Sequence, residues 1–345
     1  MDRLRHRTME ELAKASGISR PTLSKYFEDP RSVRVSTRQR IEAALELSDY
    51  QPNVYARNLN RKRTRNIGIL VPHMTDPFYA ALVARLERQC AAEGYWPIVI
   101  SSHGSPESEE RAMALLQSAK AAGLILAPLG HGRLGEIVAG LRGDIPIVYC
   151  DVAADDEHPV VRTDNVQSID VMVDYLCRTG APPAYFEVPD VNSNSRERRA
   201  AYIDAMERFG EEPRFIGAVR LNDWDLEQSA YEAMLAALDA SSLPYQTILC
   251  NNDRTAMGVL AAAFKRRVSV GRRKGNTLRI AGHDDQPLAR YTCPPLTTMA
   301  QDLDGMAERS VSMLLGMIGD EHPDRIRQPV GNVILPAQLI MRQSA

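Results

Sequence analysis

Six apolar, strand-like runs of this chain each end on a polar cluster. Asp76, Phe78 and Tyr79 follow IGILVP (67–72), and Asp151 follows IPIVYC. Asn192, Ser193 and Arg198 follow AYFEVP. Asn222-Asp223-Trp224 follow the run Gly217–Leu221. Asn252-Asp253 follow TILC, and His283-Asp284-Asp285 follow RIAG. Carboxylates, amides and a guanidinium set around flat aromatic faces suit vicinal hydroxyls. The aromatic face packs the apolar side of a sugar ring while polar groups match each hydroxyl. The set points to a small polyhydroxylated ligand. Taken singly, each residue has a plainer role. An aspartate after a strand is often a helix N-cap, which fits Asp76 and Asp253, and a lone Trp224 is more often core than ligand platform. His283 or Asp284-Asp285 could act as acid and base. Yet no nucleophile motif, phosphate-cradling glycine loop or metal-ligand spacing accompanies them. No catalytic residue, metal or cofactor is therefore expected.

The elements that must position these clusters are legible in outline. Apolar runs at Ile67–Val71, Trp96–Ser101, Gly123–Ala127 and Ile145–Cys150 alternate with helical patterns at Phe78–Glu93, Ser108–Ala121 and Leu134–Leu141. Such alternation predicts a parallel, doubly wound sheet. The theme then restarts: AYFEVP at 184–189 echoes IGILVP. Each is followed by a polar turn, a long helix, a glycine (Gly94, Gly210) and another strand. Two similar lobes are implied. Doubly wound sheets bind ligands beyond the carboxyl ends of their strands, which places the polar clusters in a cleft between the lobes. The segment PPLTTMAQDLDGMAERSVSMLLGMI should return the chain to the first lobe, with Met299, Leu303, Met306, Val311, Leu314 and Leu315 as core or dimer-face residues. VILPAQLIMRQS should close it as a terminal strand, and GRRKGNT (271–277) reads as a solvated insertion.

The first fifty residues carry a different pattern. Thr8 with Glu11 makes a capping box, so Thr8–Ala15 reads as a short helix. Gly17 supplies the turn. Ser19 caps a second helix, Ser19–Phe27, with Pro21 in its first turn. Ser36 and Gln39 open a third, Thr37–Ser48, with Ile41, Ala44, Leu45 and Leu47 inward. This is a helix-turn-helix, whose second helix enters the major groove by Arg20, Pro21, Thr22 and Lys25 while Leu23 faces the core. After Pro52, the segment Val54–Asn60 has only Val54, Tyr55 and Leu59 as apolar anchors, and a helix so short is not stable alone. Either it is a disordered linker, or DNA orders it. In the second case Asn53 and Arg57 meet phosphates and Leu59 wedges between base pairs.

Charge supports the division. The net charge of −2 conceals 15 Lys/Arg against 8 Asp/Glu in residues 1–66, and 27 against 36 in the rest. A basic N-terminal part suits a polyanion. The content of 44% hydrophobic and 25% charged residues over 345 residues suits two or three globular domains. No apolar run reaches membrane-span length and no signal-peptide core opens the chain. Five scattered cysteines without CxxC predict small buried hydrophobes and a reduced, cytoplasmic setting.

TMEELAKASGISRPTLSKYFEDP, followed by VSTRQRIEAALELSDYQPNVYARNLNRKRTRNIGILVP, resembles the lactose-repressor (LacI/GalR) family of bacterial transcription regulators over essentially the whole chain. The specific matches are Tyr50-Gln51-Pro52-Asn53, Ala56, Leu59, Thr64 and Ile67-Gly68. The resemblance implies an α/β protein with a three-helix helix-turn-helix, a hinge helix that folds on the operator, and two periplasmic-binding-protein-like lobes of doubly wound parallel sheet. Paired hinge helices of a homodimer would insert Leu59 at the centre of a pseudo-palindromic operator. The implied DNA contacts are Thr8, Ser19, Arg20, Pro21, Thr22, Ser24, Lys25, Asn53, Tyr55, Ala56, Arg57 and Leu59. The implied effector pocket is Asp76, Phe78, Tyr79, Asp151, Arg198, Trp224, Asn252, Asp253, Asp284 and Gln301.

The implied domains are 1–51, a hinge 52–66, and an effector domain 67–345. Its first lobe would be 67–162 plus 296–330, and its second 163–295 plus 331–345. There are departures from the family pattern. Pro21 offers no donor where the family often reads bases, Glu28 stands where asparagine is usual, and the loop Asp29–Val35 looks slightly long. Val152 follows Asp151 where periplasmic sugar-binding relatives often carry arginine, so a ribose-like ligand is not specially favoured. The reading is thus a DNA-binding repressor controlled by a sugar or sugar derivative, with no membrane partner. The alternatives are a transport-type sugar-binding protein or an enzyme acting on a sugar.

Overall fold

In the computed structural model, two compact units divide the chain, residues 1–64 and 65–345. The structure describes residues 8–28, 30–48, 50, 64–130, 133–141, 145–188, 192–217, 224–240, 245–273, 275, 277–319 and 331–345. The expected hinge helix, with Asn53, Tyr55, Ala56, Arg57 and Leu59, lies outside the described residues.

In the first unit the Thr8 hydroxyl accepts from Glu11 N while Glu11 Oε2 accepts from Thr8 N, both at 3.2 Å. This capping box starts the helix Met9–Ser16. Gly17, at φ 62°, ends it in the left-handed conformation that glycine adopts without penalty. The second helix is Arg20–Glu28 and the third Val35–Glu46. Leu12, Ile18, Leu23, Ile41 and Tyr50 bury together as the core. The third helix starts two residues earlier than the Ser36–Gln39 signal suggests, at Val35, and its N-cap Arg34 makes no side-chain cap bond. Its end also differs: Leu47 is exposed rather than inward, because the helix stops at Glu46 and Leu47 falls beyond the buried stripe.

The second unit holds two parallel sheets. The first runs in the order Val333–Leu335, Val160–Thr163, Ile147–Cys150, Gly123–Leu126, Asn66–Val71, Trp96–Ser101. The other runs Phe215–Ile216, Ala184–Phe186, Thr247–Cys250, Arg279–Ala281. Each sheet is covered on both faces by apolar clusters, as parallel sheets require. In both, the first strand of the lobe sits between its second and third partners: Asn66–Val71 pairs with 96–101 and 123–126, and Ala184–Phe186 with 215–216 and 247–250. That is the switch point where doubly wound sheets open a crevice. The echo between 67–72 and 184–189 is therefore structural. Each strand leads to a 16-residue helix, Pro77–Ala92 or Ser193–Arg208, and then to a positive-φ glycine, Gly94 or Gly210.

Two expectations change. The strand Val333–Leu335 pairs with Val161–Thr163 in the first sheet, so residues 331–335 do not belong to the second lobe. Pro336 breaks the expected single terminal strand, and Gln338–Ile340 then pairs antiparallel with Thr298–Ala300. The chain thus crosses between lobes three times, after Thr163, after Ala300 and after Leu335. Helix Leu303–Ile318 returns to the first-lobe core through Met306, Val311, Leu314 and Leu315, whereas Met299 packs in the second. The expected strand Gly217–Leu221 falls largely outside the described residues; the strand found there is Phe215–Ile216. Cys90, Cys150 and Cys250 are buried as expected, but Cys293 is exposed.

In the second lobe, helices Leu226–Asp239 and Asp253–Lys265 touch at Gly258. A Cβ there would overlap the Glu227 carbonyl oxygen and come within 2.9 Å of Tyr231 N. Both obstacles are backbone and cannot swing aside. Gly258→Ala would gain about 1 kcal/mol in helix propensity but lose roughly 2–3 kcal/mol to overpacking. We expect a net loss of about 1–2 kcal/mol, read as a lower midpoint in urea unfolding. A stabilised variant would show that this contact is slack.

Candidate functional site

The carboxyl ends of the two sheets face a narrow cleft between the lobes. Asp76, Phe78, Tyr79, Asp151, Arg198, Trp224, Asn252, Asp284 and Gln301 all line it. The remaining sequence-predicted residue, Asp253, does not. Asp253 is fully buried behind the wall, where it accepts from the Thr298 hydroxyl (2.6 Å) and Gln286 N (2.8 Å). The cap of helix Asp253–Lys265 is Asn252, which accepts from Thr255 N at 2.9 Å. Burial, with Asp284 nearby, pushes the Asp253 carboxyl well above the usual carboxylate range. Its role is to tie the helix start to the crossover strand.

Arg198 anchors the second-lobe wall. It projects from helix Ser193–Arg208 and is 5% exposed. Its Nε donates to Asn165 Oδ1 (2.8 Å) and its Nη1 to the Asn251 carbonyl (3.0 Å), with Asp284 Oδ1 3.5 Å away. Asp284 Oδ1 also accepts from Gln301 Nε2 at 2.8 Å and faces His283 Nδ1 at 3.0 Å. Burial raises the Asp284 carboxyl, but His283, Arg198 and Gln301 outweigh it and leave it lowered. Asp284 is therefore ionised. Burial and Arg198 drive His283 down to about 4, so the ring is neutral, its Nε2 against the Ser168 hydroxyl at 2.9 Å.

The first-lobe wall is built on Asp151. Its Oδ2 accepts from the Tyr79 hydroxyl (2.9 Å) and its Oδ1 from Asn194 Nδ2 (2.8 Å), the latter from the other lobe. Burial pushes its carboxyl up to about 6, against the pull of Arg198 and the Tyr79 bond. Asp151 and Asp284 both hold positive φ, 75° and 116°. Such backbone costs on the order of 1–3 kcal/mol and persists where surrounding contacts over-determine it. Here the contacts are backbone bonds from Asp151 N to Val161 O and from Asp284 N to Met299 O.

A residue that sequence reasoning missed bridges the two lobes behind the cleft lining. Arg254, 8% exposed, donates from Nε to Glu227 Oε1 (2.7 Å) and from Nη2 to Glu227 Oε2 (2.5 Å) and the Trp224 carbonyl (2.8 Å). Its Nη1 reaches Asp76 Oδ2 in the first lobe at 3.1 Å. Asp76 meanwhile caps helix Pro77–Ala92 through Phe78 N at 2.9 Å. Trp224 stacks on His73 of the first lobe, centroids 4.6 Å apart. Asn194, Ser195 and Asn251 also line the cleft and were not anticipated. Asn194 and Ser195 sit one turn before Arg198 on the same helix, a signal that could have found them. Asn165, from a separate helix 33 residues away, had none.

In the first unit, Ser19, Arg20, Pro21, Ser24 and Lys25 are exposed at the start of the second helix, and Thr22 is half-buried. Arg20 Nη1 pairs with Glu10 Oε1 at 2.7 Å, both side chains exposed. Ser19 Oγ lies 2.8 Å from Thr22 Oγ1. This face can meet a phosphate backbone and base edges. Among the described residues no cluster of His, Cys, Asp or Glu could hold a metal ion, and no helix is long and apolar enough to cross a membrane.

Comparison with known proteins matches both units. The model of "Bacterial regulatory proteins, lacI family" matches residues 8–53. That of "Periplasmic binding proteins and sugar binding domain of LacI family" matches residues 64–334. The HTH-type transcriptional regulator PtxS of Pseudomonas aeruginosa is 29% identical over 98% of this chain and 95% of its own. The ribose operon repressor of Escherichia coli is 27% identical over 90% of this chain and 93% of its own. Among solved structures, the lac repressor dimer bound to operator and the anti-inducer ONPF aligns with a TM-score of 0.83 over 99% of both chains, at 22% identity. With a helix-turn-helix at one end and the matched sugar-binding domain over most of its length, this chain belongs to the LacI family of bacterial regulatory proteins.

Proposed function

We propose that this regulator represses transcription as a homodimer on a pseudo-palindromic operator, and that a carbohydrate bound in the interlobe cleft sets its operator affinity. The observation that carries the reading is the cleft itself. Two buried carboxylates, Asp151 and Asp284, and one guanidinium, Arg198, converge there beside Phe78, Tyr79 and Trp224. Such a set offers both acceptors and donors to ring hydroxyls next to flat apolar faces. The effector contacts are Asp76, Phe78, Tyr79, Asp151, Arg198, Trp224, Asn252, Asp284 and Gln301. The operator contacts are Thr8, Ser19, Arg20, Pro21, Thr22, Ser24, Lys25, Asn53, Tyr55, Ala56, Arg57 and Leu59. The relatives are transcriptional regulators, and the polar groups of the cleft serve binding rather than turnover. The protein works in the cytoplasm, where its operator is. A thermal-shift screen against sugars and sugar derivatives tests the reading, since a ligand of the native state raises apparent stability.

Asp284→Asn keeps the side chain's shape but removes its charge. We expect effector affinity to fall on the order of 30-fold, from a loss of about 2 kcal/mol, with operator binding retained. Calorimetric titration of the screened ligand, beside operator gel shifts, checks this. An unchanged titration removes Asp284 from the pocket.

Asp151 sets a pH dependence. Its carboxyl is raised to about 6, and a ligand hydroxyl donating to it needs the ionised form. Effector affinity should be full above roughly pH 7 and fall as pH drops through about 6. The raised value also means that ionisation opposes folding. Asp151's contribution to stability therefore grows as pH falls from about 6 toward the unfolded value near 4. Effector titrations across this range, with Asp151→Asn as the flat control, decide the point.

Leu59→Ala should weaken operator binding about tenfold or more while leaving non-specific DNA binding nearly unchanged. A wedge between base pairs contributes only on the specific site, whereas phosphate contacts dominate elsewhere. Equal losses on both DNAs would make Leu59 an ordinary linker residue.

A further inference from the structure

Arg254 is held by three hydrogen bonds to two residues of its own lobe. Glu227 takes Nε and Nη2 in a two-pronged pair at 2.7 and 2.5 Å, and the Trp224 carbonyl takes Nη2 at 2.8 Å. A guanidinium fixed in this way has one direction left, along Nη1, and that direction points to the first lobe. There it meets Asp76 Oδ2 at 3.1 Å. Both side chains of this pair are nearly dry, 9% and 8% exposed. Opening the lobes breaks that one bond and leaves the other three intact.

The two ends of the bond reach the ligand wall. On the first lobe, Asp76 uses its other oxygen to cap helix Pro77–Ala92, whose first residues, Phe78 and Tyr79, line the cleft. Tyr79 in turn donates to Asp151. On the second lobe, Arg254 fixes the backbone of Trp224, whose ring lines the cleft and stacks on His73 across it. One side chain therefore governs an ion pair and an aromatic stack that both span the lobes. Asn194 to Asp151 is a further bridge, between neutral amide and carboxylate.

We infer that Arg254 is a positioning residue for the effector site: through Asp76 and Trp224 it sets the balance between closed and open lobes and so the effector affinity. The affinity half of this rests on the cleft being the carbohydrate site; the closure half does not. The pair does not lock the domain. A buried ion pair gains in mutual attraction roughly what its two ions lose in hydration, so opening returns Asp76 and the Arg254 tip to water at little net cost. A small bias of this kind is one a ligand can overcome or reinforce by binding one form better.

The test uses the full-length protein with spin labels at Arg111 in the first lobe and Glu207 in the second, both exposed. Electron–electron distance measurements without ligand are made on the parent, Arg254→Gln, Asp76→Asn, the double variant and Arg254→Lys. The inference expects each single change to shift the distance distribution toward longer values. The double variant should go no further than either single one, and Arg254→Lys should restore part of the short-distance population, since an ammonium can still reach Asp76. Independent, additive shifts, or a distribution unchanged in a folded Arg254→Gln, would overturn it. If Arg254→Gln does not fold, Asp76→Asn and Arg254→Lys carry the same comparison. Effector affinity, measured with aldoses and amino sugars, should fall about tenfold in Arg254→Gln, which lines no part of the cleft, and recover in part in Arg254→Lys. If the distances behave as expected and no carbohydrate binds the parent, the carbohydrate reading fails and the latch stands.

Discussion

The effector domain is organised by charges that have left water. A buried guanidinium must have its N–H groups satisfied, and a buried carboxylate must have donors, or the fold loses several kcal/mol for each. Arg198 meets this demand by drawing together four chain segments: Asn165 from one helix, Asn251 from a strand end, Asp284 from a strained turn, and its own helix. Asp284 in turn draws in Gln301 from the crossover and His283 beside it. The crossover strand, the helix starts and the cleft wall thus share a single hydrogen-bond network. Its members have little freedom to move independently.

That arrangement explains how a binding site can be pre-formed at the seam of two lobes. The chain crosses the seam three times, near residues 163, 300 and 335. The first two crossings carry network members: Thr163 donates to Gln301 Oε1 at 2.5 Å, and Gln301 reaches Asp284. Crossing strands tie the lobes covalently, while Arg254–Asp76, Asn194–Asp151 and the His73–Trp224 stack tie them reversibly. A hinge with reversible ties on the ligand side is what effector control requires. The ligand acts on contacts that already sit near balance, not on the packed cores of the sheets.

The strained backbone belongs to the same logic. Positive φ at Asp151 and Asp284 aims two carboxylates that regular strand ends would point elsewhere. Neither residue is glycine, because the side chain is what the site needs. The surrounding backbone bonds hold the conformation, and the site gains acceptors that do not have to rearrange when a ligand arrives.

How much of this was written in the sequence follows from the range of each interaction. Periodicity and capping act within a few residues, so the capping box at Thr8, the helix-turn-helix, the alternating strands and helices, and the repeat of lobes were all legible. The polar clusters after the strands were legible too, because doubly wound sheets place such residues at one edge. The chain by itself could not show which of two adjacent residues faces the cleft. Asn252 and Asp253 differ by one position on a helix start, and only the packing of Thr298 and Gln286 against Asp253 turned it inward. It could not place Val333–Leu335, since a short edge strand pairs with whichever sheet the crossover brings near. It could not reveal Asn165 or Arg254, whose partners lie tens to hundreds of residues away. Local sequence fixes what a segment is, but burial of charge is settled between segments, and only the tertiary structure brings those partners together.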